Sequence, residues 1–428
     1  MKKINIVRRK LIKPSTPTPQ NLHNYKLSFI DELNPPSNNG VVLFYHANPT
    51  TKPANVLEES LSRILPRFYP LAGRYIDEDF SFDCVDQGAE FVEAVAEGDD
   101  VEVDDLLLRR GDQFMGPTDP LLSVQVTELV KCGALAVGVS VSHKVFDASS
   151  IGTFIAAWSN ASKNFLGEEG IGVVPNFDSH LLFPGRKRSY YGEMKPSETN
   201  HQTTTIVSKR FSFKKESITN LRSKLNPKQA FNNTIFSKVR LVSAVIAKAM
   251  IRIDTTKHGR PRPSVIIQAV NMRPRTAPPL PIHSCGNLAL NAVAKCSHGA
   301  DGLGLEEIAC AMSEAIEKTV SDCARLLSGG YEDVVIGAEA GLIEGAMSSE
   351  SEMSYLSFSD WGKFGLYDAD FGWGKPASVG IARVPYERAT VLVNDKDGGG
   401  IEAWVHLSLD EMVCFEEDDE IKLYSTTM

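Results

Sequence analysis

His143 and Asp147 are the residues whose types and spacing most directly suggest chemistry. They form the pattern H-x-x-x-D, and a neutral imidazole can take a proton from a substrate near neutral pH. The spacing alone carries little weight, because chance gives roughly half an occurrence in a chain of this composition. The significance of this pair therefore depends on the elements around it.

A buried hairpin and a helix are predicted on either side of His143. The segments 122–130 and 134–141 read as two apolar strands joined by a turn at Gly133. Downstream, apolar residues at helical spacing predict an amphipathic helix: Ile151, Phe154, Ile155 and Trp158. His143 would then lie at the end of a buried strand, a place that can expose a reactive side chain on a rigid base.

Structural roles for the same two residues stay open at this stage. Asp147 could cap the helix, and His143 could be hydrogen-bonded in the core. A zinc site is disfavoured because no third ligand has suitable spacing. The second H-x-x-x-D occurrence, His406 and Asp410, reads as an alternating strand followed by a helix whose N-cap would be Asp410.

A second motif is far less compatible with chance. The run D-F-G-W-G comprises Asp370, Phe371, Gly372, Trp373 and Gly374, and about one such chain in ten thousand would carry it at random. Its two glycines allow a backbone path that is barred to other residues. A turn pinned by a buried indole is the structural interpretation.

Composition excludes several classes of protein. The 428 residues carry a net charge of −9, which argues against a nucleic-acid binder and gives no attraction to an anionic membrane. Seven cysteines without a C-x-x-C pair favour a reducing compartment over a zinc site or disulfide framework. The basic N-terminus lacks the apolar stretch of a signal peptide, and no run of about 20 apolar residues occurs. A cytoplasmic location is predicted.

Strands and helices alternate on both sides of a polar, Thr-rich segment near the middle of the chain. This pattern predicts two α/β domains, 1–182 and 209–428, joined by a linker at 183–208. A segment after about residue 376 is expected to pack on the N-terminal domain.

Taken together, these motifs resemble the BAHD family of plant acyl-coenzyme A-dependent acyltransferases. Further stretches that look like this family extend the resemblance over nearly the whole chain: 69–74, 143–148, Asn271-Met272-Arg273, Gly286-Asn287 and 400–404. The run from Trp361 to Pro376 looks most like the alkaloid O-acetyltransferase branch typified by vinorine synthase. Ala247 departs from the family pattern, because many members carry Trp there.

The resemblance implies two chloramphenicol acetyltransferase-like domains of mixed sheet and helices, joined by a crossover loop, with a solvent channel between them. It implies His143 as the reactive residue, with Asp147 holding the loop and the D-F-G-W-G turn distant and structural. We predict that Asp370 forms a structural salt bridge with an arginine of the stretch from Asn271 to Arg275, above all Arg273.

The resulting functional hypothesis is an O-acyltransferase. A short acyl group, acetyl above all, would pass from acyl-coenzyme A to a hydroxyl of an alkaloid, terpenoid or sugar ester, with His143 as general base in a ternary complex. No permanently bound cofactor or metal is expected, and a monomer is predicted. Candidate cations for coenzyme A are Lys238, Arg240, Arg186, Lys187 and Arg188. N-acylation of an amine, a non-catalytic ligand-binding relative and a metallohydrolase remain alternatives.

Overall fold

The computed structural model describes residues 4–46, 53–98, 100–111, 115–116, 118–167, 172–187, 205–225, 236–296, 304–329, 331–336 and 353–427. It divides into two compact units. The first comprises Met1–Glu198, Pro281–Leu288 and Phe364–Pro385, and the second comprises Thr199–Leu280, Ala289–Lys363 and Tyr386–Met428.

The elements are mixed strands and helices, as the sequence indicated. The strands are β1 (Ile4–Ile12), β2 (Asn24–Lys26), β3 (Asn38–His46), β4 (Arg74–Ile76), β5 (Ser81–Asp83), β6 (Ala89–Ala96), β7 (Leu122–Leu129), β8 (Ala134–Ser142), β9 (Ile206–Phe213), β10 (Ser264–Asn271), β11 (Ala289–Cys296), β12 (Ser354–Asp360), β13 (Ser378–Ile381), β14 (Ala389–Asn394), β15 (Ile401–Ser408) and β16 (Thr426–Thr427). The helices are α1 (Phe29–Glu32), α2 (Pro53–Ile64), α3 (Ala148–Phe165), α4 (Ser179–Leu182), α5 (Lys215–Lys224), α6 (Lys238–His258), α7 (Leu305–Arg325), α8 (Leu409–Glu417) and α9 (Asp419–Tyr424).

The first unit is organised around a mixed sheet with the order β1-β6-β7-β8-β3-β13. Strands β7 and β8 form the predicted antiparallel hairpin, and their side chains are almost all buried. Such near-continuous apolar burial is expected of strands in the middle of a covered sheet. Helices α2 and α3 pack together, and the buried Trp158 indole donates to the carbonyl of Leu57 and to Ser60 Oγ.

The second unit holds a mixed sheet with the order β11-β10-β12-β14-β15-β9-β16. The long helix α6 lies in its core, and Ala247, the residue that departs from the family pattern, is fully buried there. Near the C-terminal end of α6, Arg388 donates to Asp254 of that helix, to Glu411 and to Ser354. A buried guanidinium of this kind requires such partners, because an unpaired internal charge is costly.

Two sequence expectations differ from the structure. The expected division 1–182 and 209–428 let only a segment after about residue 376 pack on the first domain, whereas the first unit takes in two later stretches, 281–288 and 364–385. Helix α8 is capped by Ser408, whose side chain accepts from the N–H of Glu411, so Asp410 is not the N-cap. Serine takes that position because its hydroxyl satisfies an otherwise unpaired N–H of the first turn.

Two further expectations concern the linker and membrane-spanning segments. Most of the predicted linker, 188–204, lies outside the described residues. None of the described helices is both long enough and apolar enough to cross a membrane.

Candidate active site

His143 lies immediately after β8, at the point where the sheet gives way to helix α3. Its backbone N–H donates to the carbonyl of Ser37 at 2.8 Å, which ties the residue to the start of neighbouring strand β3. The residue is half-buried. Burial lowers the pKa of the imidazole below its usual 6.5, against the opposing effects of Asp147 and Asn287. The lowered pKa favours the neutral ring, the state that a proton acceptor needs.

Asn287 contacts His143 at two points. Its Oδ1 lies 3.0 Å from Nδ1 of the imidazole, and its Nδ2 donates to the backbone carbonyl of His143 at 2.8 Å. The two residues are 144 positions apart in the sequence. Gly286-Asn287 belongs to the stretches that resemble the family, but nothing in the local sequence pattern connects this asparagine to the histidine.

Asp147 caps helix α3. Its Oδ1 accepts from the N–H of Ser150 at 2.8 Å, and its Oδ2 accepts from the N–H of Leu288 at 3.1 Å. The capping role considered from the sequence is confirmed, and the same carboxylate also fixes the segment that carries Asn287. Asp147 is thus hydrogen-bonded to the backbone on both sides of the histidine loop, and its orienting role in catalysis stays a prediction.

Ser150, in the first turn of α3, holds the same segment. Its Oγ accepts from the N–H of Gly286 at 3.2 Å and lies 2.8 Å from Oδ1 of Asp147. Gly286 has a φ of +139°, and a Cβ there would lie 2.8 Å from Ser179 Oγ. Only glycine fits this backbone without strain and collision.

Asp31 supports Asn287 from the other side. One carboxylate oxygen accepts from both the backbone N–H and the side-chain Nδ2 of Asn287, at 2.8 and 2.9 Å. The other oxygen accepts from the N–H and hydroxyl of Ser28. Asp31 is fully buried, and burial raises its pKa, while the hydrogen bonds from Ser28 and Asn287 oppose that rise. The sequence pattern gave Asn287 no role and did not point to Asp31 at all.

The D-F-G-W-G turn packs against the other end of α3. Phe371 is fully buried and meets Trp158 edge to face at 4.9 Å between ring centroids, and Trp373 stacks on Phe371 at 5.8 Å. Ser162 donates to the carbonyl of Phe371 at 2.7 Å. Helix α3 has 18 residues, so its two ends lie about 27 Å apart at ~1.5 Å per residue. These contacts support the predicted structural role of the motif.

Asp370 closes this turn. Its Oδ1 accepts from the N–H groups of Gly372 and Gly374, both at 2.9 Å, and its Oδ2 pairs with Lys163 Nζ at 2.8 Å. Burial raises the pKa of Asp370, but these donors outweigh it and hold the pKa below its usual value.

Arg273, the predicted partner of Asp370, belongs to the second unit, where it is buried and donates to Asn271 Oδ1. The Asp370–Arg273 salt bridge therefore stays a prediction. Lys163 is the partner that the sequence analysis missed.

Lys238 and Arg240, proposed for coenzyme A, both lie in the first turn of α6. Lys238 Nζ donates to the carbonyls of Gly398 and Gly400, at 2.7 and 3.2 Å. Arg240 donates to Ser313 Oγ. Burial lowers the pKa of both groups. Each cation has a protein partner, and a role in binding coenzyme A stays a prediction.

The basic run at the start of the predicted linker is held by its backbone. The buried Glu32 carboxylate accepts from the N–H groups of Arg186 and Lys187, at 3.0 and 2.9 Å. Lys187 Nζ also pairs with Asp79 at 2.8 Å. Arg188 lies outside the described residues. The part of this run that is described is anchored to α1.

Sequence comparison matches residues 2–422 to the model described as "Transferase family". The chain is 40% identical to the Salvia splendens protein named pelargonidin 3-O-(6-caffeoylglucoside) 5-O-(6-O-malonylglucoside) 4'''-malonyltransferase, covering 98% of this chain and 99% of the relative. It is 35% identical to vinorine synthase of Rauvolfia serpentina, covering 95% and 94%.

Structural comparison gives the same relationship. The crystal structure of vinorine synthase matches with a TM-score of 0.80 and 32% identity, covering 96% of both chains. The F. graminearum protein TRI101, complexed with coenzyme A and T-2 mycotoxin, matches in fold with a TM-score of 0.72 at 17% identity, covering 94% of this chain and 99% of that one. Because a family model and relatives above 30% identity span nearly the whole chain, the protein belongs to the BAHD acyltransferases, the family that its motifs resemble.

Proposed function

We propose that this protein transfers a short acyl group from acyl-coenzyme A to a hydroxyl group of a plant specialised metabolite, with His143 as the general base. The observation that carries this proposal is the environment of His143. The residue is half-buried, the pKa of its imidazole is lowered by burial, and its Nδ1 lies 3.0 Å from Oδ1 of Asn287. Membership of an acyltransferase family supplies the reaction type.

His143 would accept a proton and return it during ester formation. The His143 imidazole takes the proton of the acceptor hydroxyl while the hydroxyl oxygen attacks the carbonyl carbon of the thioester. The tetrahedral intermediate collapses, the C–S bond breaks, and the imidazolium returns the proton to the coenzyme A thiolate. Because the hydroxyl oxygen attacks the thioester directly, no acyl-enzyme forms. Ester and free thiol are the products, and the histidine ends as it began. Reaction in a ternary complex requires both substrates to be bound before transfer.

Coenzyme A is the proposed co-substrate, in line with the ligand named for the TRI101 complex. Its phosphates need only a few local cations, so the net charge of −9 does not oppose binding. Lys238 and Arg240 remain the proposed contacts.

The relatives support an acceptor among plant specialised metabolites, because one is named for an acylated anthocyanin glucoside and the other is vinorine synthase. Acetyl is the proposed donor group, and the malonyltransferase name makes malonyl the donor to test beside it. A cytoplasmic location and a monomeric state remain predictions.

A direct test combines donor and acceptor panels. The purified protein is incubated with acetyl- or malonyl-coenzyme A and a plant metabolite extract, free thiol is measured, and products are identified by mass spectrometry. We expect thiol release that requires an acceptor and products that carry an ester. Products acylated on nitrogen would show that the acceptor is an amine and not an alcohol. Absence of thiol release with every donor would favour a ligand-binding relative.

The matched variants are His143→Ala and His258→Ala. His258 is the last residue of α6; it is exposed, and its ring Nδ1 lies 2.9 Å from the carbonyl oxygen of Asp254. We expect His143→Ala to lose ~10²-fold or more of kcat with the fold intact, and His258→Ala to retain turnover. Near-normal turnover in folded His143→Ala would overturn the general-base assignment.

A further inference from the structure

The side-chain amide of Asn287 has a determined orientation. Its Nδ2 lies 2.8 Å from the carbonyl oxygen of His143 and 2.9 Å from Oδ1 of Asp31. A backbone carbonyl can only accept a hydrogen bond. A flipped amide would place its oxygen against that carbonyl and the carboxylate, which is repulsive. The amide nitrogen therefore faces these two acceptors, and the amide oxygen faces the imidazole.

The charge state of Asp31 agrees with this orientation. Its two oxygens have four donors within hydrogen-bond distance, two from Asn287 and two from Ser28. Four donors fill the acceptor sites of an ionised carboxylate, and a protonated acid would lack one of them. Asp31 thus acts as a buried anion that fixes the amide, and the side chain of Asn287 cannot turn without losing two hydrogen bonds.

The orientation of Asn287 decides the position of the imidazole proton. Oδ1 can only accept, so the Nδ1 that lies 3.0 Å from it must carry hydrogen. A neutral imidazole has one N–H, so the lone pair that can accept a proton is on Nε2. Within the described residues, Nε2 of His143 has no hydrogen-bond partner.

We infer that Asn287, held by Asp31, is a positioning residue that keeps His143 in the Nδ1–H tautomer and leaves Nε2 as the basic atom. The inference rests on the proposed function for its consequence in catalysis. In the opposite tautomer Nε2 would carry a proton and could not act as base. A tautomer fixed by a partner on the other ring nitrogen is a general device of histidine chemistry. After proton transfer to Nε2, the imidazolium still donates its Nδ1–H to Asn287, so the same contact stabilises the charged ring.

The first test reads the tautomer without activity. Protein labelled with ¹⁵N-histidine is examined by NMR above the pKa of the imidazole, and the His143 signals are assigned by their loss in His143→Ala. We expect a protonated Nδ1 and an unprotonated Nε2 in the wild-type protein. A wild-type spectrum with a protonated Nε2 would overturn the inference, whatever the variants do.

The second test uses Asn287→Leu, which keeps the side-chain volume and removes both polar groups. We expect a mixture of tautomers in the NMR spectrum and a kcat lower by ~10–100-fold, with the KM for acyl-coenzyme A unchanged. Asp31→Asn should shift both readouts in the same direction by a smaller factor. The matched control is Asn34→Leu, because Asn34 lies just after α1 and its side chain donates to the carbonyl of Ile30, while its backbone N–H, which bonds the carbonyl of Asp31, is unchanged by the substitution.

The outcomes separate the two proposals. Retention of the Nδ1–H tautomer and of kcat in folded Asn287→Leu would overturn the role of Asn287, and wild-type behaviour of Asp31→Asn would overturn the role of Asp31. If His143→Ala retains turnover, the general-base proposal fails, while the NMR result still decides the tautomer.

Discussion

The carboxylate of Asp147 joins two distant parts of the chain, because one oxygen caps helix α3 and the other accepts from the N–H of Leu288 at 3.1 Å. Leu288 follows the asparagine that contacts His143. The first turn of α3 and the segment 286–288 are therefore one hydrogen-bonded assembly around the histidine. The H-x-x-x-D spacing places the aspartate one turn beyond the histidine, where it can cap the helix and hold that segment.

The pH dependence of turnover should report the His143 imidazole. Because burial lowers its pKa, the acid limb of kcat/KM should have its midpoint below pH 6.5. The base must be neutral, so the rate falls as pH decreases through that pKa and is level above it. Steady-state rates across the acid range, paired with a stability check at each pH, measure this midpoint. A midpoint above 6.5 would contradict the buried, neutral histidine.

Replacing Gly286 should disturb catalysis through strain. In Gly286→Ala the added Cβ would meet Ser179 Oγ at 2.8 Å, at a φ of +139° that alanine resists. We expect a kcat reduced by ~10-fold or more and a free energy of unfolding reduced by about 1–3 kcal/mol. The control is Gly133→Ala, at a turn with φ of +58° and open space around the site. Equal kcat in the two folded variants would argue against a positioning role for the 286–288 segment.

Asp370→Asn should affect folding more than turnover. The variant loses the ion pair with Lys163 and weakens the acceptor for the N–H groups of Gly372 and Gly374. We expect a free energy of unfolding lower by about 1–3 kcal/mol, a reduced folded yield, and near-normal kcat per folded molecule. Lys163→Met, which removes only the ion pair, should cost less. A well-folded Asp370→Asn protein without turnover would contradict a structural role.

Lowering the pH should remove part of the stabilisation that the Asp370 carboxylate provides. The folded-state pKa of Asp370 is lowered, so its contribution is present above the unfolded value near 3.9 and is lost as pH falls through the folded value. The stability gap between wild type and Asp370→Asn should therefore narrow below about pH 4. Urea unfolding at neutral and acid pH measures this gap, and a gap that widens in acid would contradict the sign.

Arg388 should be a strong determinant of stability in the second unit. Arg388→Met leaves the buried Asp254 and Glu411 carboxylates without their shared guanidinium, at a cost of about 3–5 kcal/mol. Burial raises the pKa of Asp254, but the hydrogen bonds from Arg262 and Arg388 outweigh it and lower the pKa to about 2. Arg262→Met, which removes only one partner of Asp254, is the milder control. Equal urea midpoints for the two variants would argue against the shared network.

Some features of this protein follow from the sequence alone. The strand 134–141, the helix after Asp147 and the capping role of Asp147 are readable because periodicity and helix caps depend on residues near each other in the chain. The D-F-G-W-G motif is likewise contiguous. These local signals place His143 at the end of a buried strand and identify the family.

The partners of these residues were decided only by tertiary structure. Asn287 lies 144 residues from His143, and Asp31 lies 256 residues from Asn287. The Asp370 carboxylate pairs with Lys163, which lies on a helix more than 200 positions earlier. Such contacts depend on which loops the sheet order and the return of the chain at 281–288 bring together. Local periodicity contains no information on that choice. The sequence thus determined which residue could act as the base, and the tertiary structure decided which groups orient it.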